Sequence, residues 1–217
     1  MNADSVEHSP AISRRRADEQ ASRRKAILDA AESVFGRKGY HETSITEIAG
    51  VADLATGTIY LYFQDKSDLY GSLIVEKMQT MRANVDAALA SHRSARRCLR
   101  NVVQEQFAFH DANRPFFEIF LHHHQLQTSP LHEAHWKQGE QLKRDILTAI
   151  ERRIREGQGE GEIRSGDPKS FAVAFLGMML QMIRQWIRDP GDGVLVDRAD
   201  FVADCFLHGA ANPRPRK

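Results

Sequence analysis

The sequence predicts an all-α protein of about nine helices. Apolar residues recur at three- and four-residue intervals along almost the whole chain, and no segment alternates apolar and polar residues long enough to make a strand. Capping residues, glycines and prolines cut these periodic stretches into helix-sized pieces. Composition fits a folded chain: 217 residues, 41% hydrophobic and 27% charged, enough for a sizeable core in one or two domains. Thirty basic and 29 acidic residues leave a net charge of +1, which excludes a uniformly basic nucleic-acid coat but leaves room for a local basic patch. No uninterrupted apolar run reaches about 18 residues, so no membrane span is expected. The N-terminus lacks the apolar stretch of a secretory leader. Two cysteines, Cys98 and Cys205, cannot build a disulfide framework. A reduced, cytoplasmic protein is the expectation.

Residues 1–17 read as a flexible basic tail, polar and carrying Arg14, Arg15 and Arg16. They are either a solvated leader or an arm that touches nucleic acid. Ile27, Leu28, Ala31, Val34 and Phe35 then form a helical stripe that Gly39 stops. Ser44-Ile45-Thr46-Glu47 has the capping-box pattern and opens a short helix whose buried face is Ile45, Ile48, Ala49 and Ala52. Asp53 and Leu54 break that stripe, and a third short helix runs over 55–61. A longer helix begins near Asp65, with Ile74, Met78, Met81, Val85 and Ala88 on one face. The next two cover about 95–110 and 114–125. Ser129-Pro130 opens a helix to about Glu156, ended by Gly157, Gly159 and Gly161. Asp167-Pro168 opens another that must stop before Pro190, and a last helix covers 194–209. The expected division is a tail at 1–17, a domain at 18–66, a second at 67–210 and a frayed end at 211–217.

Three short helices, the last two joined by a tight turn, suggest a helix-turn-helix unit. Its second helix must enter a major groove, so it is short and shows small or polar residues outward. Here that face is Thr56, Thr58 and Tyr60, with Leu54, Ile59 and Phe63 inward. Gly57 lets the backbone approach a phosphate or base edge closely. Thr43, Ser44, Tyr60, Tyr62 and Lys66 are candidate phosphate contacts. On pattern alone, a purely structural three-helix module fits as well.

The residues themselves go further. Ile27-Leu28, Ala30-Ala31, Phe35, Gly39-Tyr40, Thr43-Ser44-Ile45, Ile48-Ala49, Gly57-Thr58-Ile59-Tyr60-Leu61-Tyr62-Phe63, Lys66 and Leu69 closely resemble the DNA-binding domain of the TetR/AcrR family of transcriptional regulators, over roughly residues 23–70. That resemblance implies a homodimer on a palindromic operator of double-stranded DNA, usually a repressor. It places Thr56 at the family's variable base-reading position and Tyr60, Tyr62 and Lys66 at its phosphate contacts. Two positions depart from the family. Asp53 stands where a turn glycine is usual, and Asp tolerates the left-handed conformation better than most residues. Ala55 stands where Ser is common and cannot cap, at a cost of about 1 kcal/mol. The recognition helix has no Arg, Asn or Gln, so bidentate base readout is scarce. Specificity should lean on Thr56, methyl contacts and DNA shape, with the Arg14–Arg16 arm as a further contributor.

Beyond residue 70 the resemblance loosens. The segment Gly161–Pro168 still looks like the family's turn before its last two helices, which implies that those helices dimerise. The 168–189 helix is apolar on two faces and so needs two partners. Phe171, Phe175, Ile183, Trp186, Phe201 and Cys205 are the candidate interface, with burial in a monomeric core as the alternative. A small hydrophobic effector is expected among Phe107, Phe116, Phe117, Phe120, His124, Met178 and Met182, although each of these reads equally as core. Long acyl chains, aromatic acids and hydrophobic drugs all suit it. His122, His123 and His124 lie about 100° apart on a helix and cannot share one ion. With His110, His132 and His135 they complete no metal-ligand set. No cofactor is expected, and an enzyme reading lacks a nucleophile–base pair. A regulator without any small-molecule inducer is the other alternative, and a filled core at Phe107–Leu121 would favour it.

Overall fold

The computed structural model describes residues 10–125, 133–189, 191 and 193–209, and within these the side chains of all but 10–13 and 121–125. The chain forms two compact units, Met1–Leu73 and Ile74–Lys217. Among the described residues the regular structure is helical throughout.

The first unit holds α1 (Pro10–Lys38), α2 (Ile45–Val51), α3 (Thr56–Ile59) and the start of α4 (Lys66–Ala90). Residues 10–17, expected as tail, belong to α1. Ala, Arg, Glu and Gln are strong helix formers, and Arg15 pairs with Glu19 one turn on at 3.2 Å. The stripe on α1 buries Ile27, Leu28, Ala31, Val34 and Phe35, α1 packs on α2, and Ile48, Ile59, Phe63 and Leu69 are buried in the same unit. Gly39 ends α1 with φ +80°, its N–H donating to the Phe35 carbonyl. The capping box forms at α2: the Glu47 N–H donates to Ser44 Oγ at 3.2 Å, and the Ser44 N–H donates to Glu47 Oε2 at 3.0 Å. Lys38 also donates to Glu47. The Lys38 bond, followed by those from Ser44, holds the Glu47 carboxyl down at about 2.

Asp53 takes the left-handed conformation, φ +54°. Its N–H donates to Gly50 and that of Leu54 to Ala49, so the α2 end is a Schellman motif closed by Asp instead of Gly. Ala55 precedes α3 without a side-chain cap. Only four residues of α3 are fully helical, but N–H groups of Tyr62 and Phe63 both donate to Ile59 and carry the coil onward.

Lys66 departs from its expected role. Its ammonium donates to the carbonyls of Tyr40 (2.9 Å), His41 (3.2 Å) and Thr43 (2.8 Å), and sits 4.6 Å from the Tyr40 ring centre. A lysine has three donors, and all three are spent on the α1–α2 loop. Thr43, also expected at a phosphate, is only 3% exposed, and its hydroxyl donates to the Gly39 carbonyl. Both residues shape the loop from within.

The second unit holds the rest of α4, α5 (Ala95–Ala112), α6 (Arg114–Gln125), α7 (Glu133–Gly159), α8 (Pro168–Arg188), a 3₁₀ turn (Leu195–Arg198) and α9 (Ala199–His208). α5 is central, packing on α6, α7, α8 and α9. Leu99, Val102, Val103 and Phe107 of α5 meet Ile150, Ile154, Ala172 and Phe175 in the core. Gly157 does not stop α7. It permits close packing, since a Cβ there would fall 2.5 Å from that of Ala95. Asp167 caps α8 through Lys169 and Ser170, with Pro168 in the first turn. The final helix is split because Asp111 accepts the N–H groups of Leu195 (2.7 Å) and Val196 (2.8 Å), closing the 3₁₀ turn ahead of α9. By length and composition α8 is apolar enough to cross a membrane. Its apolar residues are instead divided between faces: Ala172, Phe175, Met179, Ile183 and Trp186 are buried within the unit. The Ser129-Pro130 opening lies outside the described residues.

Two outcomes follow for the first unit. Lys66→Met should lower folding stability by roughly 1–3 kcal/mol in denaturant melts, as three charge-assisted bonds are lost. The slope of log DNA affinity on log salt should stay unchanged, whereas a phosphate contact would reduce it by about 1. Glu47 has a lowered folded pKa, so its stabilising effect is present above the ordinary value of 4.5 and is lost as pH falls toward about 2. The stability gap between the parent and Glu47→Gln should therefore shrink across that window.

Candidate nucleic-acid interface and effector cavity

In the first unit, Ile59 and Phe63 are buried beneath α3, which turns the remaining residues of the helix outward. Gly57 and Tyr60 are exposed, Thr56, Thr58 and Tyr62 are half-buried, and Leu54 is only partly covered. A Cβ on Gly57 would meet nothing in the protein within 4 Å. No intramolecular packing therefore requires glycine at that position. Ser44 lies exposed at the start of α2, its hydroxyl engaged by the capping box. Thr56, Gly57, Thr58 and Tyr60 thus stand together on α3 and its continuation, with Lys66 and Thr43 supporting the neighbouring loop from behind.

The second unit encloses a cavity of about 280 Å³. α4 contributes Ile74, Met78, Met81 and Val85; α6 contributes Phe116, Phe117 and Phe120. α8 supplies Leu176, Met179 and Ile183. The walls are almost wholly apolar. Polar groups come at two levels. His110 and Gln106, one turn apart on α5, are 4% and 3% exposed. Lys77, Lys143 and Arg184 stand at more open positions. Among the described residues lining the cavity there is no carboxylate. Burial pushes the His110 imidazole below its ordinary pKa, outweighing the hydrogen bond to the Gln106 carbonyl and the charge of Asp111. The ring stacks on Phe117 at 4.1 Å between centres.

Several sequence expectations shift against this geometry. Phe116, Phe117 and Phe120 line the cavity, but Phe107 is fully buried in the core behind it. Met178 and Met182 border a shallow depression on the other side of α8, with Gln181, Gln185 and Phe201. Met179 takes their place at the cavity, because one residue is about 100° of helix rotation. The His124 side chain lies outside the described ones, as do those of His122 and His123, and residue 132. Of the expected interface residues, Phe175, Ile183 and Trp186 are buried inside their own unit and have no surface left to offer. Phe175 packs on Phe206, and the Trp186 N–H donates to the Gly193 carbonyl. Phe171 and Cys205 are half-buried, and Phe201 is 63% exposed. His110, Gln106 and the three cations were not singled out as cavity residues. Their signal was helical spacing: Gln106 and His110 lie on the same face of α5 as Val102, and Arg184 follows Ile183 and precedes Ile187.

The family model described as bacterial regulatory proteins, tetR family, matches residues 27–73, and that described as the tetracyclin repressor-like C-terminal domain matches 92–210. The fatty acid metabolism regulator protein of Bacillus subtilis is 28% identical over 187 residues, covering 86% of this chain and 94% of that protein. The transcriptional repressor BepR of Brucella suis is 46% identical over 61 residues, 28% of this chain and 29% of its own. The crystal structure of the transcriptional regulator FadR from Bacillus subtilis in complex with stearoyl-CoA superposes with a TM-score of 0.73 at 25% identity, covering 86% of this chain and 99% of that one. The second match alone spans more than half of the present chain, and these relatives are named as regulators rather than enzymes. The chain is a helix-turn-helix, DNA-binding transcriptional regulator and belongs to the TetR family.

Proposed function

We propose that this regulator is a homodimeric repressor that binds a palindromic operator and releases it when an amphipathic anion, an acyl chain on an acidic or thioester head, enters the α4–α8 cavity. The observation that carries this reading is the lining itself: an apolar interior bordered by Lys77, Lys143 and Arg184, with Lys143 also paired to Glu140 at 2.7 Å and Lys77 donating to Asn113 Oδ1, and no carboxylate among the described lining residues. Apolar walls take the chain and the cations take the head. The relative whose structure contains stearoyl-CoA supports the same ligand class. The cavity of about 280 Å³ takes the acyl chain, and the head lies at the cationic border. A regulator without an effector gives no reason for such a cavity.

On the DNA side, Thr56, Gly57, Thr58 and Tyr60 meet the major groove, and Ser44 and Tyr62 flank it at the backbone. Half-sites one or more helical turns apart require two copies. The second copy is assigned to the α8–α9 face carrying Met178, Met182, Phe201 and Cys205, whose apolar side chains remain partly exposed. Release is a population shift: the ligand favours an arrangement in which the two recognition helices no longer fit successive grooves. α4 is the conduit, since Lys66 begins it and Ile74, Met78 and Met81 line the cavity further along. Such a protein works in the cytoplasm, beside the DNA it controls.

Two measurements check this. Gly57→Ala should gain up to about 1 kcal/mol of stability, as Ala does in a helix interior, yet lose DNA affinity because the added methyl blocks close approach. Unchanged affinity would remove α3 from the groove. With the operator selected from genomic fragments, octanoyl-CoA should release it. The double variant Lys143→Glu, Arg184→Glu should need roughly tenfold more thioester while binding the operator normally. No release by any acyl thioester or free fatty acid would overturn the effector reading.

A further inference from the structure

The two buried polar side chains of the cavity have a use that an acyl chain alone does not supply. His110 Nδ1 lies 2.7 Å from the Gln106 carbonyl, which only accepts, so Nδ1 carries the proton. In the neutral ring Nε2 is then an acceptor, and no described residue donates to it. Stacking on Phe117 keeps the ring from turning this atom away. Gln106 spends one amide hydrogen on the Met81 carbonyl at 3.1 Å, which fixes its Oε1 as the other end of the amide. Its Oε1 and second hydrogen have no partner in the described protein. Both side chains are more than nine-tenths buried and line the same apolar cavity.

A purely apolar guest would strip water from these atoms and return nothing, and a buried unmet acceptor is costly. A carboxylate cannot satisfy Nε2, since both are acceptors. A hydroxyl can, because it donates to one neighbour and accepts from another. We propose that the effector carries a hydroxyl on its apolar body, donated to His110 Nε2 with the Gln106 amide beside it. The inference rests on the effector reading above and narrows it to hydroxylated acyl groups, or apolar acids of similar size bearing a hydroxyl. The cavity then reads its ligand twice: a cationic border selects the anion, and a neutral interior selects the hydroxyl.

The test compares octanoyl-CoA with its hydroxylated derivatives, isomers of one another with the hydroxyl at successive chain carbons, by calorimetry on the full-length protein. One isomer should bind about tenfold or more tighter than the parent thioester. His110→Phe keeps a ring against Phe117 and removes Nε2, so it should abolish that preference and leave octanoyl-CoA binding equal or stronger. Should His110→Phe not fold, Gln106→Met is the second variant, expected to reduce the preference without removing it. If the parent binds and no isomer exceeds it, the hydroxyl inference is overturned and the effector reading stands. If neither the parent nor any isomer binds, both fall together.

Discussion

The ammonium of Lys66 holds the DNA-binding unit in shape. Three carbonyls of the loop between α1 and α2 converge on one cation at the first residue of α4. Those carbonyls lie just past the end of α1, where backbone acceptors are left over. An arginine would place its donors in a planar fork and could not meet three carbonyls from one point. Because the loop is fixed, Ser44 is fixed, and with it the capping box that starts α2. α2 in turn ends in the left-handed Asp53, which aims α3. The recognition helix is thus positioned by a chain of local hydrogen bonds that ends on α4.

α8 imposes the second constraint. A helix apolar on two faces needs two partners. One side is met within the unit by Phe175, Met179, Ile183 and Trp186. Met178 and Met182, on the other side of the helix beside the exposed Phe201, stay half-buried. The cavity lies on the buried side, lined by α4, α6 and α8. Methionines at Met78, Met81 and Met179 make that wall deformable, which suits a guest whose length varies.

Local chemistry was legible in the sequence where it depended on near neighbours. The Ser44–Glu47 box and the Asp167-Pro168 opening follow from spacings of three residues or fewer, whereas the left-handed Asp53 and the uncapped Ala55 are expected from where the family resemblance departs. Lys66 was not legible as a loop anchor, because its partners lie more than 20 residues away. The charge of residues 10–17 resembles that of a solvated tail, yet the same residues favour helix and open α1. On α8, periodicity identifies the apolar sides but not their neighbours, so it cannot tell Met179, at the cavity, from Met178 and Met182 on the other side. Nor can an apolar stripe tell core from cavity wall, and Phe107 and Phe117 differ only in which side of the packing they occupy.

In the proposed mechanism a ligand in the second unit acts on the first through α4. Hydrogen–deuterium exchange with and without octanoyl-CoA tests it most directly. Exchange should change at the cavity segments of α4 and α5 and also in the loop amides around Tyr40–Ser44, which depend on Lys66. A change confined to the cavity segments, with operator release intact, would contradict this account and require another route between effector and DNA.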